Sequence, residues 1–146
     1  MEATREEILR VWMQLSLAIN NERVVSGLPY TEFLICSILY WNQKREAPRE
    51  LTATDLCGET KILKSQMNRI LNSLEKKELI IRTRSERDKR QLYVTFRMER
   101  AESYEREHER ILKFVDELMN RIGWDRSEEI VKLFDLIANM ADEVIG

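Results

Sequence analysis

Only four glycines and two prolines punctuate the 146 residues, and that scarcity constrains the fold more than any other feature. Turn-rich all-β architectures need punctuation at roughly every ten residues, whereas long helices are weakened by it. The chain is therefore expected to be mainly α. Hydrophobic residues make up 43% and charged residues 34%, enough apolar material for a buried core and too much for a disordered chain. The longest apolar stretch, residues 33–41, is less than half of the roughly 20 residues a membrane-crossing helix needs. Glu2, Glu6 and Glu7 stand where a signal peptide would be basic and then apolar, so a cytoplasmic location with no membrane partner is expected. Cys36 and Cys57 cannot build a disulfide framework, and the single histidine, His108, leaves no material for a His-based metal site. No metal and no cofactor are expected.

Hydrophobic periodicity places the elements. Ile8, Val11, Trp12, Leu15 and Ile19 recur at helical spacing and predict an amphipathic helix over residues 4–22, ended by Gly27, Leu28 and Pro29. Thr31 is the expected N-cap of a second helix, apolar on most sides and therefore central. Pro48 marks a loop, Thr52 caps a short helix expected to end near Gly58, and a further helix runs over residues 63–77. In that helix Met67, Ile70, Leu71 and Leu74 form one buried stripe, leaving Lys64, Ser65, Asn68, Arg69 and Asn72 opposite. Residues 79–84 and 91–96 are β-prone runs joined by a charged tip, a hairpin. Two long amphipathic helices, over residues 98–122 and 127–145, close the chain around a break at Gly123 and Trp124. Neither an internal repeat nor a low-complexity segment is present.

The net charge of −2 hides a segregation: residues 61–100 hold 12 basic side chains against 5 acidic ones, +7 locally, and the remainder carries −9. That segment is the candidate surface for a polyanion, and the acidic flanks would help to orient it. An ordinary solvated helix face with a charged hairpin tip is the alternative. Element order decides in favour of the first, because a short helix, a second helix with a polar face and a basic-tipped hairpin follow one another as in a winged helix-turn-helix. An α-helix fits the major groove, where arginine pairs with guanine and asparagine or glutamine with adenine; a tip arginine suits the narrow minor groove.

The run Ile62-Leu63-Lys64-Ser65-Gln66-Met67-Asn68-Arg69-Ile70-Leu71-Asn72-Ser73-Leu74-Glu75-Lys76-Lys77-Glu78-Leu79-Ile80-Ile81-Arg82, followed by Arg87-Asp88-Lys89-Arg90, resembles the MarR family of transcription regulators. The resemblance covers residues 31–96 by motif and the whole chain by element order. It implies a single protomer over residues 1–146, with a winged helix-turn-helix lobe at 31–97 and dimerisation helices at 1–25 and 98–146. It further implies a homodimer with interlocking terminal helices, each protomer reading half of a palindromic operator. Carried over by position, Lys64, Ser65, Gln66, Asn68, Arg69 and Asn72 are the expected recognition-helix contacts. Arg84, Arg87, Asp88, Lys89 and Arg90 are the expected wing contacts, with Asp88 bracing Arg90. Glu78 stands where the family has a left-handed glycine, so the turn into the wing is expected to be strained or differently closed. Lys61 and Leu63 depart from the usual glycine and small polar residue before the recognition helix, and Arg97 and Met98 from the usual threonine-led start of the next one.

Trp12, Tyr30, Phe33 and Trp41 are candidates for an effector crevice, or simply core aromatics. Cys36 and Cys57 are thiol sensors or small hydrophobes, and His108 belongs to a weak pH or metal site or to a solvated face. No nucleophile, glycine-rich loop or second histidine accompanies the carboxylates, so no catalytic residue is assigned. Two functions follow: a ligand-responsive DNA-binding repressor, or a winged-helix module that binds protein through the same surface.

Overall fold

Local hydrogen bonds explain where the helices begin. In a computed structural model, which describes residues 1–21 and 27–146, α1 spans Arg5–Ile19 and starts at Thr4 in a capping box. The Thr4 hydroxyl accepts from the Glu7 N–H at 3.1 Å and the Glu7 carboxylate accepts from the Thr4 N–H at 2.8 Å. Thr52 and Asp55 repeat the device at the head of α3, Ala53–Thr60. The central helix α2, Tyr30–Gln43, starts instead after Pro29, whose fixed φ suits the approach to a helix, so Thr31 lies inside the first turn and is not the N-cap. There follow α4 at Lys64–Lys76, β1 at Ile80–Arg84, β2 at Leu92–Phe96, α5 at Ala101–Ile122 and α6 at Ser127–Ile145. Short 3-10 turns at Met98–Arg100 and Trp124–Arg126 lead into α5 and α6. The first helix ends at Ile19, before its expected limit; residue 22, with the part of the expected dimerisation segment at 22–25, lies outside the described residues. No described helix is long and apolar enough to cross a membrane.

The chain divides into two units, residues 1–108 and 109–146. The core of the first is built on α2, whose Phe33, Ile35, Cys36, Leu39 and Tyr40 are buried. The apolar stripe of α4 (Met67, Ile70, Leu71, Leu74), together with Leu51, Leu56, Ile80, Val94 and Phe96, completes it. Phe33 and Tyr104 stack with centroids 5.3 Å apart, and Tyr40 meets Phe96 edge-on at 6.0 Å. The strands pair antiparallel in the register Ile80↔Phe96 to Arg84↔Leu92. Two side-chain amides anchor this hairpin and its flanking loop: Gln43 donates to and accepts from the backbone of Phe96, and buried Asn42 does the same with Arg49.

Both non-glycine residues with positive φ bracket α4. Gly58 does not end α3, which continues to Thr60 and stops at Lys61, φ 63°. The Thr60 hydroxyl bridges that end, donating to the Leu56 carbonyl at 2.7 Å and accepting from the Ile62 N–H at 3.2 Å. At the other end Glu78 has φ 61°, the Leu79 N–H reaches the Leu74 carbonyl at 3.0 Å, and the Glu78 N–H reaches that of Glu75 at 3.0 Å. This is a Schellman motif with a glutamate in the glycine position, sealed by buried Leu74 and Leu79. The turn is closed in the ordinary way and carries the strain of a side chain in left-handed geometry. That strain costs about 1–2 kcal/mol, from which the extra unfolded-state freedom of glycine subtracts about 0.5–1. Glu78→Gly is accordingly expected to raise the melting temperature by roughly 2–4 °C, and an unchanged or lowered midpoint in a thermal scan contradicts it.

In the second unit Gly123, with φ 112°, makes the break after α5; a Cβ there would lie 2.6 Å from the Asp125 carboxylate. The Trp124 indole donates to Asn120 at 2.8 Å across the same turn. Neither α1 nor α6 buries a single residue. Along α6, Val131, Leu133, Phe134, Leu136, Ile137 and Met140 are all exposed.

Candidate nucleic-acid interface

The amphipathic split of α4 produces the surface expected of it. Lys64, Ser65, Gln66, Asn68, Arg69 and Asn72 are exposed while the opposite stripe is buried. Leu63 precedes the helix without a side-chain cap and the first turn contains no acid. Free N–H groups and the positive end of the helix dipole therefore face outward beside Lys64, a setting that favours a phosphate.

The hairpin presents the second part of the surface. Arg90 is 92% exposed at its side chain. Asp88 Oδ1 accepts from the Arg90 N–H at 3.0 Å and from its Nε at 3.3 Å, so the carboxylate braces the root of the arginine and leaves the outer guanidinium nitrogens outward. Arg84 donates to the Lys89 carbonyl at 2.6 Å, which commits it to the shape of the tip, while Arg87 and Lys89 are exposed. Sequence reasoning missed the residue beneath this tip. Ser85 is buried, its hydroxyl accepts from the Arg87 and Asp88 N–H groups at 3.3 and 3.4 Å, and it donates to Glu50 at 3.3 Å. A serine in a run of charges gave no signal of burial.

Two further ties hold α4. Arg82 on β1 donates to the Asn72 amide oxygen and lies 3.5 Å from the Glu75 carboxylate. Asn72 is thus exposed but has its oxygen engaged within the protein. Glu32, buried near the start of α2, accepts on one oxygen from Lys77 Nζ at 2.8 Å and from the Ser73 hydroxyl at 3.0 Å. Lys77, read from its place in the basic run as a phosphate contact alongside Lys76, is therefore occupied in joining the end of α4 to α2. The signal for it was an acid inside an otherwise apolar helix, since a buried carboxylate needs a cation or several donors.

Residues 26–91 match the MarR family model. The winged-helix lobe belongs to the MarR family. Among solved structures, the repressor CouR bound to a 23-mer DNA duplex aligns with a TM-score of 0.78 at 19% identity, over 94% of this chain and 99% of that one. The PcaV regulator of Streptomyces coelicolor, in complex with its natural ligand, gives 0.73 at 18% identity over 97% and 98%. Wild-type MarR from E. coli, in its apo form, gives 0.71 at 16% over 94% and 98%. At such identities the likeness concerns the fold, which this chain shares nearly end to end. No curated protein matches the sequence.

Within this MarR-family fold the four aromatic crevice candidates have different environments. Phe33 is core, stacked on Tyr104; Trp12 on α1 and Trp41 on α2 are more than half exposed, and Tyr30 is exposed at the start of α2. Trp41 packs edge-on against Tyr40 and has the His108 ring 6.0 Å away, so His108 is half-buried against aromatics. A cavity of about 310 Å³ opens instead among Leu28, Cys36, Lys77, Phe96, Arg100 and Tyr104. Burial pushes the Cys36 thiol up to about 12, with the nearby Glu32 carboxylate adding to the effect. At neutral pH it is a protonated, unreactive thiol, the environment of a small hydrophobe.

Proposed function

We propose that this chain is a sequence-specific double-stranded-DNA-binding transcription regulator rather than an enzyme. In this reading it is a cytoplasmic repressor that acts as a homodimer on a palindromic operator and answers to a small-molecule effector. The observation that carries the reading is the combination of an unobstructed polar face on α4 with an arginine projected from the wing and braced by Asp88. Groove-reading side chains and a separate minor-groove probe are what a winged helix needs to read sequence. The DNA-bound state of CouR and the ligand-bound state of PcaV support extending the same class of activity to this fold. The homodimer rests on the apolar faces of α1 and α6, which nothing in the single chain buries.

The test is a gel shift against the DNA immediately upstream of the chain's own coding region, with a salt titration. Tight binding that weakens steeply with salt is expected, since each phosphate contact adds about one unit to the slope. Failure to prefer that DNA over random sequence would shift the reading to a protein-binding winged helix.

The wing provides a sharper test. Arg90→Ala is expected to weaken specific binding by about 1–3 kcal/mol, and Asp88→Ala by less, because it removes only the brace. Circular dichroism and mass in solution are expected to stay unchanged. Parent-like affinity of Arg90→Ala at matched salt would refute the role of the wing.

A further inference from the structure

We propose that the cavity at the end of α4 binds a small organic monocarboxylate that draws Lys77 away from Glu32, and that occupancy in this way loosens the recognition helix from α2 and weakens DNA binding. The inference rests on the DNA-binding reading above and adds a ligand class and a route of control to it.

Three features define the ligand. The cavity, about 310 Å³, is at the small end of ligand-binding sites, so it suits a molecule of about ten heavy atoms and excludes a nucleotide. Its charged lining consists of Lys77 and Arg100 against Glu107, an excess of one positive charge that matches a single carboxylate. Leu79, Phe96 and Tyr104 offer an apolar wall for the body of the molecule, and Ser103 adds a hydroxyl.

The control follows from the position of Lys77, which is both a lining residue and the cation on buried Glu32. Its ammonium has three donors, and its side chain is 40% exposed against 10% for Glu32, so it is open to the cavity while the glutamate is not. A carboxylate arriving there shares the ammonium and weakens its hold on Glu32. Glu32 then keeps the Ser73 hydroxyl alone, too little for a buried charge, and is relieved when α4 moves enough to admit water. Because Ser73 and Lys77 both lie at the C-terminal end of α4, the motion is delivered to the helix that carries Asn68 and Arg69.

The experiment uses the full chain and its upstream DNA at constant ionic strength, with phenylacetate as probe, phenylacetamide as its neutral counterpart and chloride as the salt control. Phenylacetate at about 10 mM, enough to occupy a site with a dissociation constant of about 1 mM, is expected to lower DNA affinity about fivefold or more. Phenylacetamide and chloride are expected to leave it unchanged. Ser103→Phe, which fills the cavity without altering charge, is expected to bind DNA like the parent and ignore phenylacetate; Ser103→Leu replaces it if the ring unfolds the lobe. Lys77→Gln is expected to bind DNA more weakly from the start and to show no further weakening on addition of phenylacetate. Equal effects of phenylacetate and its amide, no effect of either, or a full response in the cavity-filled variant would overturn the proposal. If the parent binds no DNA at low salt, the DNA-binding reading fails by itself. The cavity is then judged by melting: a phenylacetate-induced rise confined to the unfilled cavity supports the site, and no rise overturns it.

Discussion

Deleting residues 127–146 is expected to turn the protein into monomers or aggregates and to lower operator affinity by about 10²–10⁴-fold, the factor gained when two half-site contacts are joined in one molecule. The deleted stretch contains α6, which buries nothing in the single chain while exposing six large apolar side chains between Val131 and Met140. Each is worth about 1.5–3 kcal/mol when fully buried, so a partner that covers this face gains on the order of 10 kcal/mol before the costs of association. On α5, Leu112, Val115, Leu118 and Ile122 are also exposed, as are Ile8, Val11 and Trp12 on α1. A second copy presents the same faces, and two-fold pairing lets identical patches cover one another. Such a dimer would also supply the spacing of about 34–36 Å between recognition helices that successive major grooves require. Sedimentation decides the matter: an intact chain that is monomeric at micromolar concentration, together with a truncated chain that still binds operator tightly, would sink the arrangement.

Most of the lobe was legible because periodicity and capping report local physics. The stripe Met67, Ile70, Leu71 and Leu74 could face only one way on a helix, and Thr52 followed by Asp55 reads as a capping box before any tertiary contact is known. The bracing of Arg90 by Asp88 was legible for a similar reason, since the two residues are only two positions apart and the tip brings their side chains together. What stayed hidden were the ties between distant segments. Glu32 and Lys77 are 45 positions apart, and nothing local in the basic run distinguishes Lys77, which folds inward, from Lys76, which does not. Ser85 and Glu50 are hidden in the same way. The left-handed geometry at Lys61 and Glu78 was foreseen as a departure from glycine; that the backbone would nevertheless close with regular hydrogen bonds depended on Leu74 and Leu79 packing against each other. Helix boundaries moved for physical reasons also, with Pro29 replacing Thr31 at the head of α2 and Gly58 tolerated inside α3.

The chemistry of α4 yields the second large effect. Asn68 and Arg69 are consecutive, exposed, and flanked by the buried Met67 and Ile70, so their side chains leave the core side of the helix altogether. Replacing both with alanine leaves the core packing untouched and raises helix propensity at position 68, so the lobe stays folded. A good bidentate base contact carries about 1–3 kcal/mol of discrimination, so the double variant Asn68→Ala/Arg69→Ala is expected to lose about 2–6 kcal/mol of preference for operator over random DNA. Lys76→Ala should behave differently. Lys76 lies in the last turn, where it meets backbone rather than base edges, and its removal is expected to weaken binding evenly across sequences. The salt slope should become shallower by about one unit for each phosphate that the variant leaves unneutralised. Lys77 cannot serve as a second control of this kind, because its removal also strips the cation from Glu32. Competition titrations with operator and random duplexes at several salt concentrations separate these outcomes. An equal loss of specificity from the double variant and from Lys76→Ala would show that α4 does not divide reading from anchoring, and the assignment of Asn68 and Arg69 to the bases would fall.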